Sequence, residues 1–204
     1  MTTDALQNYI DKIAMEAFNK YKIIRDGTSY ELAEIEIYVK DLDNGINDIY
    51  RHDTDKHLRN AEEYQHYSGF DICQGNKDKK IYCGILVRGL MNDSEAIYGP
   101  RRVKYKGRQK HPREIKIKIS EVSENRFTFH SSEINSNVIL KLPRVNLSNT
   151  TSMDNLYQQE ELQKYLNLKA RYLRVKDKNF FSTNGPVESR EIWNVILNNA
   201  TKTL

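Results

Sequence analysis

From Leu32 to Val39 the chain alternates strictly, with Ala33, Ile35, Ile37 and Val39 on one face of a strand and Glu34, Glu36 and Tyr38 on the other. The run Ile81-Tyr-Cys-Gly-Ile-Leu-Val-Arg-Gly-Leu is apolar almost throughout, as a strand buried on both faces would be. Between them, Gln74-Gly-Asn-Lys-Asp is a turn signal that makes 65 to 73 and 80 to 90 partner strands. A sheet with strand 32–39 at its centre is therefore the frame on which the rest must be hung.

The other segments fit that frame. Residues 4 to 20 carry Leu6, Ile10, Ile13, Ala14, Ala17 and Phe18 at helical spacing, with Thr3 as N-cap. Asp26-Gly27 turns the chain into the strand 30–39, and the polar segment 40–62 reads as a loop with a short helix over 54–63. Ile115, Ile117 and Ile119 alternate with Lys116 and Lys118, which predicts a half-exposed strand. Further strands are expected over 126–130, 136–142 and 170–175, and helices over 155–166 and 187–199, the last with Trp193 in its apolar stripe. The expected architecture is a single α+β domain spanning 1–204, a curved, mainly antiparallel, barrel-like sheet wrapped by helices.

Composition narrows the function classes. A chain of 204 residues has enough length for one real core. A net charge of +4 permits nucleic-acid binding without demanding it. The two cysteines, Cys73 and Cys83, do not make a disulfide framework and are expected as reduced thiols on neighbouring strands. Met-Thr-Thr-Asp has neither a basic nor an apolar leader region, and no apolar run approaches the ~20 residues of a membrane span, so the expectation is a cytoplasmic protein, monomeric and without a membrane partner.

The chemistry-bearing residues gather in two places. After strand 32–39 comes His52-Asp53-Thr54-Asp55-Lys56-His57, then Tyr64-Gln-His-Tyr67-Ser-Gly-Phe-Asp71. Carboxylate, imidazole and aromatic ring together are what a pocket needs to hold a flat base and activate a water. His-Asp-x-Asp-x-His is not a metal-ligand spacing, so neither a metal nor any other cofactor is expected. The second place is a basic run, Arg101, Arg102, Lys104, Lys106, Arg108, Lys110, Arg113, Lys116 and Lys118, broken only by Glu114. Clustered cations suit a phosphate backbone, and a sheet edge kept soluble by lysine is the alternative.

Taken in order, the segments resemble the alkyladenine (3-methyladenine) DNA glycosylase family. Ala33-Glu34-Ile35-Glu36-Ile37-Tyr38 resembles the family's Val-Glu-(Thr/Ala)-Glu-Ala-Tyr strand, and Asp53-Thr-Asp-Lys-His57 its Asp-x-Ala-Ala-His loop. Phe70-Asp71-Ile72 falls where the family has Cys-x-Asn-(Ile/Val). Gly84-Ile-Leu-Val-Arg88-Gly-Leu resembles Val-Leu-Leu-Arg-Ala, Gly99-Pro100 resembles Gly-Pro-x-x-Leu, Pro143-Arg144-Val145 resembles Pro-Arg-(Val/Ile)-Gly, and Ala170-Arg171-Tyr172 resembles Leu-Arg-Phe.

The resemblance implies a monofunctional glycosylase that flips an alkylated purine out of duplex DNA and excises it by water attack at the anomeric carbon. By position Glu36 is the base, with Glu34 on the same face as the alternative choice. Tyr38 and His57 are pocket walls that stack on a cationic base. Asp71 stands in place of an asparagine that discriminates exocyclic groups, and an ionised acid there accepts but does not donate. The family's Tyr-Gly-Met wedge segment has no clean counterpart, Tyr64 and Tyr67 being the two candidates, and its basic Arg-Thr-Pro-Arg stretch is reduced to His57-Leu-Arg59-Asn. Those departures keep two alternatives open: a non-catalytic module binding a nucleic acid or small ligand on the same scaffold, and an N-glycoside hydrolase acting on RNA or free nucleotides.

Overall fold

The computed structural model describes residues 2–48, 54–106, 113–123, 127, 138–142, 144, 165 and 168–175. The helix α1 spans Thr3–Lys20, and Thr2, not Thr3, caps it by accepting a hydrogen bond from the Ala5 amide at 3.2 Å. Its stripe of Leu6, Ile10, Ala14, Ala17 and Phe18 is buried. The strands are β1 (Tyr21–Arg25), β2 (Thr28–Asp41), β3 (Ile46–Asn47), β4 (Asn60–His66), β5 (Gly69–Gln74), β6 (Tyr82–Met91) and β7 (Ala96–Tyr98). A short helix α2 (Pro100–Lys104) leads to β8 (Tyr105–Lys106), β9 (Arg113–Glu114), β10 (Ile117–Glu121), β11 (Val138–Leu142) and β12 (Arg171–Val175).

The main sheet runs β10-β1-β2-β6-β5-β4, all antiparallel, with β12 on β2 and β11 on β12. β2 is its spine. Along one edge it pairs with β6 over nearly its whole length; along the other it pairs first with β1 at Thr28–Glu31, then with β12 at Glu34–Glu36, then with β3 at Lys40–Asp41. The outer strands β10 and β4 approach each other, and Tyr21 of β1 donates to Asn60 at the start of β4 (3.3 Å). The result is a mostly antiparallel, nearly closed, barrel-like sheet with few helices among the described residues.

The core fills the inside. Leu32, Ile35, Ile37 and Val39 of β2 and Ile85, Val87 and Leu90 of β6 pack with the α1 stripe. A β-bulge interrupts the pairing of β2 with β6 between Leu32 and Ile35. It inserts a residue and so resets the alternation. Ala33 is thereby turned away from Ile35 and joins a second, smaller cluster with Met91, Tyr98, Leu142 and Leu173.

Two expectations for local structure need correction. Residues 54–63 are not one helix: Thr54 caps a single 3₁₀ turn, Asp55–Leu58, and β4 begins at Asn60 with an irregularity at Ala61, whose φ is 57°. Nor is 65–73 one strand, because Tyr67-Ser68 forms the turn of a β4–β5 hairpin. The expected strand 126–130 (except Phe127), the helix 155–166 (except Tyr165) and the helix 187–199 lie outside the described residues.

Candidate functional site

The face of the sheet opposite the main core carries charge. The register places Arg171, Glu36, Leu86, Asp71 and Tyr64 in one row across β12, β2, β6, β5 and β4. Residues opposed across antiparallel strands share a face, so these five side chains lie on the same side. Two strand spacings separate the Glu36 and Asp71 backbones, about 9.5 Å. In the neighbouring row Tyr38 is opposite Gly84, which is opposite Cys73.

Glu36 is fully buried. One of its oxygens accepts from the Tyr38 hydroxyl at 2.7 Å and the other from Arg88 Nη1 at 2.9 Å. Burial pushes its carboxyl above the usual range, against the opposing pull of Arg88, the Tyr38 hydrogen bond, Arg144 and Arg171. Glu34 is buried as well, so neither carboxylate sits on a solvated strand face. Its Oε1 accepts from both Arg88 Nε (2.9 Å) and Arg171 Nε (2.6 Å). Above Tyr38 lies Arg144, its guanidinium 5.0 Å from the ring centroid and paired with buried Asp48 at 2.5 Å.

On the other side of Leu86 the centre is Asp71. Its Oδ2 binds His57 Nε2 at 3.0 Å and its Oδ1 binds His66 Nε2 at 3.1 Å. Burial opposes ionisation of Asp71, but the hydrogen bonds and charge of His66 and His57 outweigh it and hold the carboxyl below its ordinary range. His57 is buried and descends onto Gly84, where a Cβ would lie 2.8 Å from its ring. Tyr64 is half-buried between the two imidazoles, edge-on to His57 at 5.1 Å and tilted against His66 at 5.9 Å.

The hairpin tip bears Tyr67, 77 % exposed, with the Arg101 guanidinium 4.9 Å from its ring and bonded to its hydroxyl. Arg101 and Arg102 are exposed on α2, and Lys106 is exposed beyond it. Lys104 is instead buried, donating to the His66 carbonyl at 2.8 Å, so its charge is turned inward. Arg108, Lys110, His52 and Asp53 lie outside the described residues. Cys73 and Cys83 are free and buried on β5 and β6; burial raises the Cys73 thiol to about 12, which makes it inert.

Among the described residues no three His, Cys, Asp or Glu side chains are placed to share a metal ion, and no helix is long and apolar enough to cross a membrane. A groove of about 800 Å³ lies elsewhere, between α1 and the end of β10, lined by Lys12, Met15, Glu16, Lys20, Glu121 and Val122. It is an open groove with a lining of mixed charge, whereas the buried, interacting ionisable groups sit on the Glu36–Asp71 face, where functional chemistry is more often found.

Sequence reasoning passed over Arg88 and Arg171 as site residues, and over His66 and Ser68. Arg88 had a signal: a lone cation in the apolar run 81–90 must find a buried partner. His66 shares the period-two face of Tyr64. No family model, curated protein or solved structure matches this chain.

Proposed function

We propose that this chain is a monofunctional N-glycosylase acting on a flipped, alkylated purine in duplex DNA, with Glu36 as the base that activates water. The observation that supports it is the shared face: Glu36 hydrogen-bonded to Tyr38, and Asp71 to His57, in adjoining rows of β2, β6 and β5. In the reaction the water oxygen bonds to the anomeric carbon, its proton passes to Glu36, and the glycosidic C–N bond breaks with its electron pair leaving on the base. The carboxylate also faces the positive charge that develops on the sugar. Arg88 orients it and holds its charge against desolvation. Of the two wedge candidates, Tyr67 is the exposed one and would enter the duplex, while Arg101, Arg102 and Lys106 would grip the flanking phosphates.

A second reading has its own observation. Both Glu36 oxygens are already hydrogen-bonded and the residue is fully buried, as suits a structural ion pair in a non-catalytic module that binds nucleic acid. Base release from alkylated duplex DNA separates the two. Wild type should release alkyladenine above background, and Glu36→Gln should release none while still binding duplex. Background release from both, with binding intact, would leave the binding module. Release from RNA or free nucleotides alone would move the activity to another N-glycoside, and failure to bind any of them would sink both readings.

A further inference from the structure

The Tyr67-Ser68 turn places a hydroxyl at the head of a relay that runs through His66 to the Asp71–His57 pair, and the water attack proposed for Glu36 makes no use of Ser68 or His66. Ser68 Oγ lies 2.9 Å from His66 Nδ1, His66 Nε2 lies 3.1 Å from Asp71 Oδ1, and Asp71 Oδ2 lies 3.0 Å from His57 Nε2. Burial deepens along the line: Ser68 is exposed, the His66 side chain is 11 % exposed, and those of Asp71 and His57 are 3 % and 2 %. We propose that Ser68, His66 and Asp71 form a second catalytic centre, a serine nucleophile with its base and orienting carboxylate, acting on small carboxylic esters.

The tautomer follows from the carboxylate. Ionised Asp71 only accepts, so His66 donates to it through Nε2–H, and in the tautomer with that single ring proton Nδ1 can take the Ser68 proton. A nucleophile within hydrogen-bond reach of a base, which is itself oriented by a third group, is the arrangement that activates a hydroxyl. His57 occupies the second Asp71 oxygen, which fixes the carboxylate plane. The imidazole is further held by its backbone, since buried Lys104 clamps the His66 carbonyl.

The step balances without a further reactant. Ser68 Oγ bonds to the ester carbonyl carbon as its proton moves to His66. The carbon–oxygen bond to the leaving group then breaks, and His66 returns the proton to that alcohol. Water, deprotonated by His66, releases the acid and restores Ser68. His66 and Ser68 touch the reacting atoms; Asp71 is a positioning residue that acts through His66.

The test is covalent capture with a fluorophosphonate probe, located by peptide mass spectrometry, beside hydrolysis of p-nitrophenyl acetate. Wild type should carry the adduct on Ser68, and Ser68→Ala should lose adduct and hydrolysis together. Because Ser68 is exposed, that variant should melt with wild type. Ser94→Ala, an exposed serine away from the relay, should label as wild type does. His66→Ala should slow labelling by about 10²–10⁴-fold, and added imidazole should restore part of the rate. Asp71→Glu should recover more of the rate than Asp71→Asn. Absence of a Ser68 adduct on wild type, or a His66→Ala rate equal to wild type, would overturn the proposal. Glycosylase assays do not bear on that outcome, so the two readings fail separately.

Discussion

Replacing Arg88 with Met is the most direct probe of the charged face. Arg88 donates to Glu34 through Nε and to Glu36 through Nη1, both at 2.9 Å, and its side chain is 14 % exposed. Methionine keeps much of the stem and removes both bonds. Glu34 retains Arg171, but Glu36 retains only the Tyr38 hydroxyl as a described hydrogen-bond donor, beside the weaker pull of Arg144 and Arg171. Breaking a buried pair from one side costs about 3–5 kcal/mol, because the remaining charge is left desolvated. At about 2–4 °C per kcal/mol, that is a fall of roughly 6–20 °C in Tm. The loss must depend on pH. The Glu36 carboxyl is already raised by burial, and removing its strongest lowering neighbour raises it further. Below the wild-type folded pKa both proteins hold Glu36 neutral, so the pH-dependent part of the loss is absent there and grows as pH rises toward the higher folded pKa of the variant. Guanidinium unfolding at pH 5 and pH 8 should therefore give a larger loss at pH 8. Adding Glu36→Gln should recover about 1–3 kcal/mol of it, read as a double-mutant coupling. A loss under 1 kcal/mol, or one equal at both pH values, would refute the reasoning.

Other perturbations follow from the same face. Gly84→Ala sets a Cβ 2.8 Å from the His57 ring, so it should destabilise by about 1–3 kcal/mol in thermal unfolding, where an unchanged Tm would contradict the packing described. Asp71 is held below its ordinary range, so its contribution is present above about pH 4 and lost as pH falls through the folded pKa. Asp71→Asn should therefore lower Tm at pH 6, and its gap from wild type should narrow as pH falls through the folded pKa of Asp71. Arg101→Ala with Arg102→Ala should weaken duplex binding without changing base preference, and should flatten the salt dependence by about 0.9 per lost phosphate contact in fluorescence anisotropy titrations.

Where a residue's environment depended on neighbours in sequence, the sequence was readable. The alternation of β2, the apolar run of β6 and the turn between β5 and β6 all rest on period two and turn chemistry, and all three appear with boundaries shifted by a few residues. The α1 stripe is equally local; its cap moved by one residue because Thr2 and Thr3 offer the same hydroxyl. Legibility failed where a distant strand decided the outcome. Alternation put Glu34 and Glu36 on one face, and the resemblance made Glu36 a base, but alternation says which way a side chain points, not what covers it. Arg171, 137 positions from Glu34, covers it. The bulge that turns Ala33 away from Ile35 has no glycine in β2 to announce it; the glycine that marks it, Gly89, stands opposite Glu34 in β6, and only the pairing of the two strands brings it there. The hairpin at Tyr67-Ser68 was hidden for a related reason. Tyr64, His66 and Tyr67 look like one imperfect strand until the turn is inserted, and only then do His66 and Asp71 lie diagonally across the hairpin, close enough to hydrogen-bond. A charged face of this kind costs stability unless every member is paired. Glu34, Glu36, Arg88 and Asp71 each have such a partner here, from β12, β6, β2 and the 3₁₀ turn respectively. The pairing is thus a property of the assembled sheet: Arg171 of β12 and Arg88 of β6 cover Glu34 from opposite sides of β2, so loss of the β12 pairing would leave Arg88 to hold it alone.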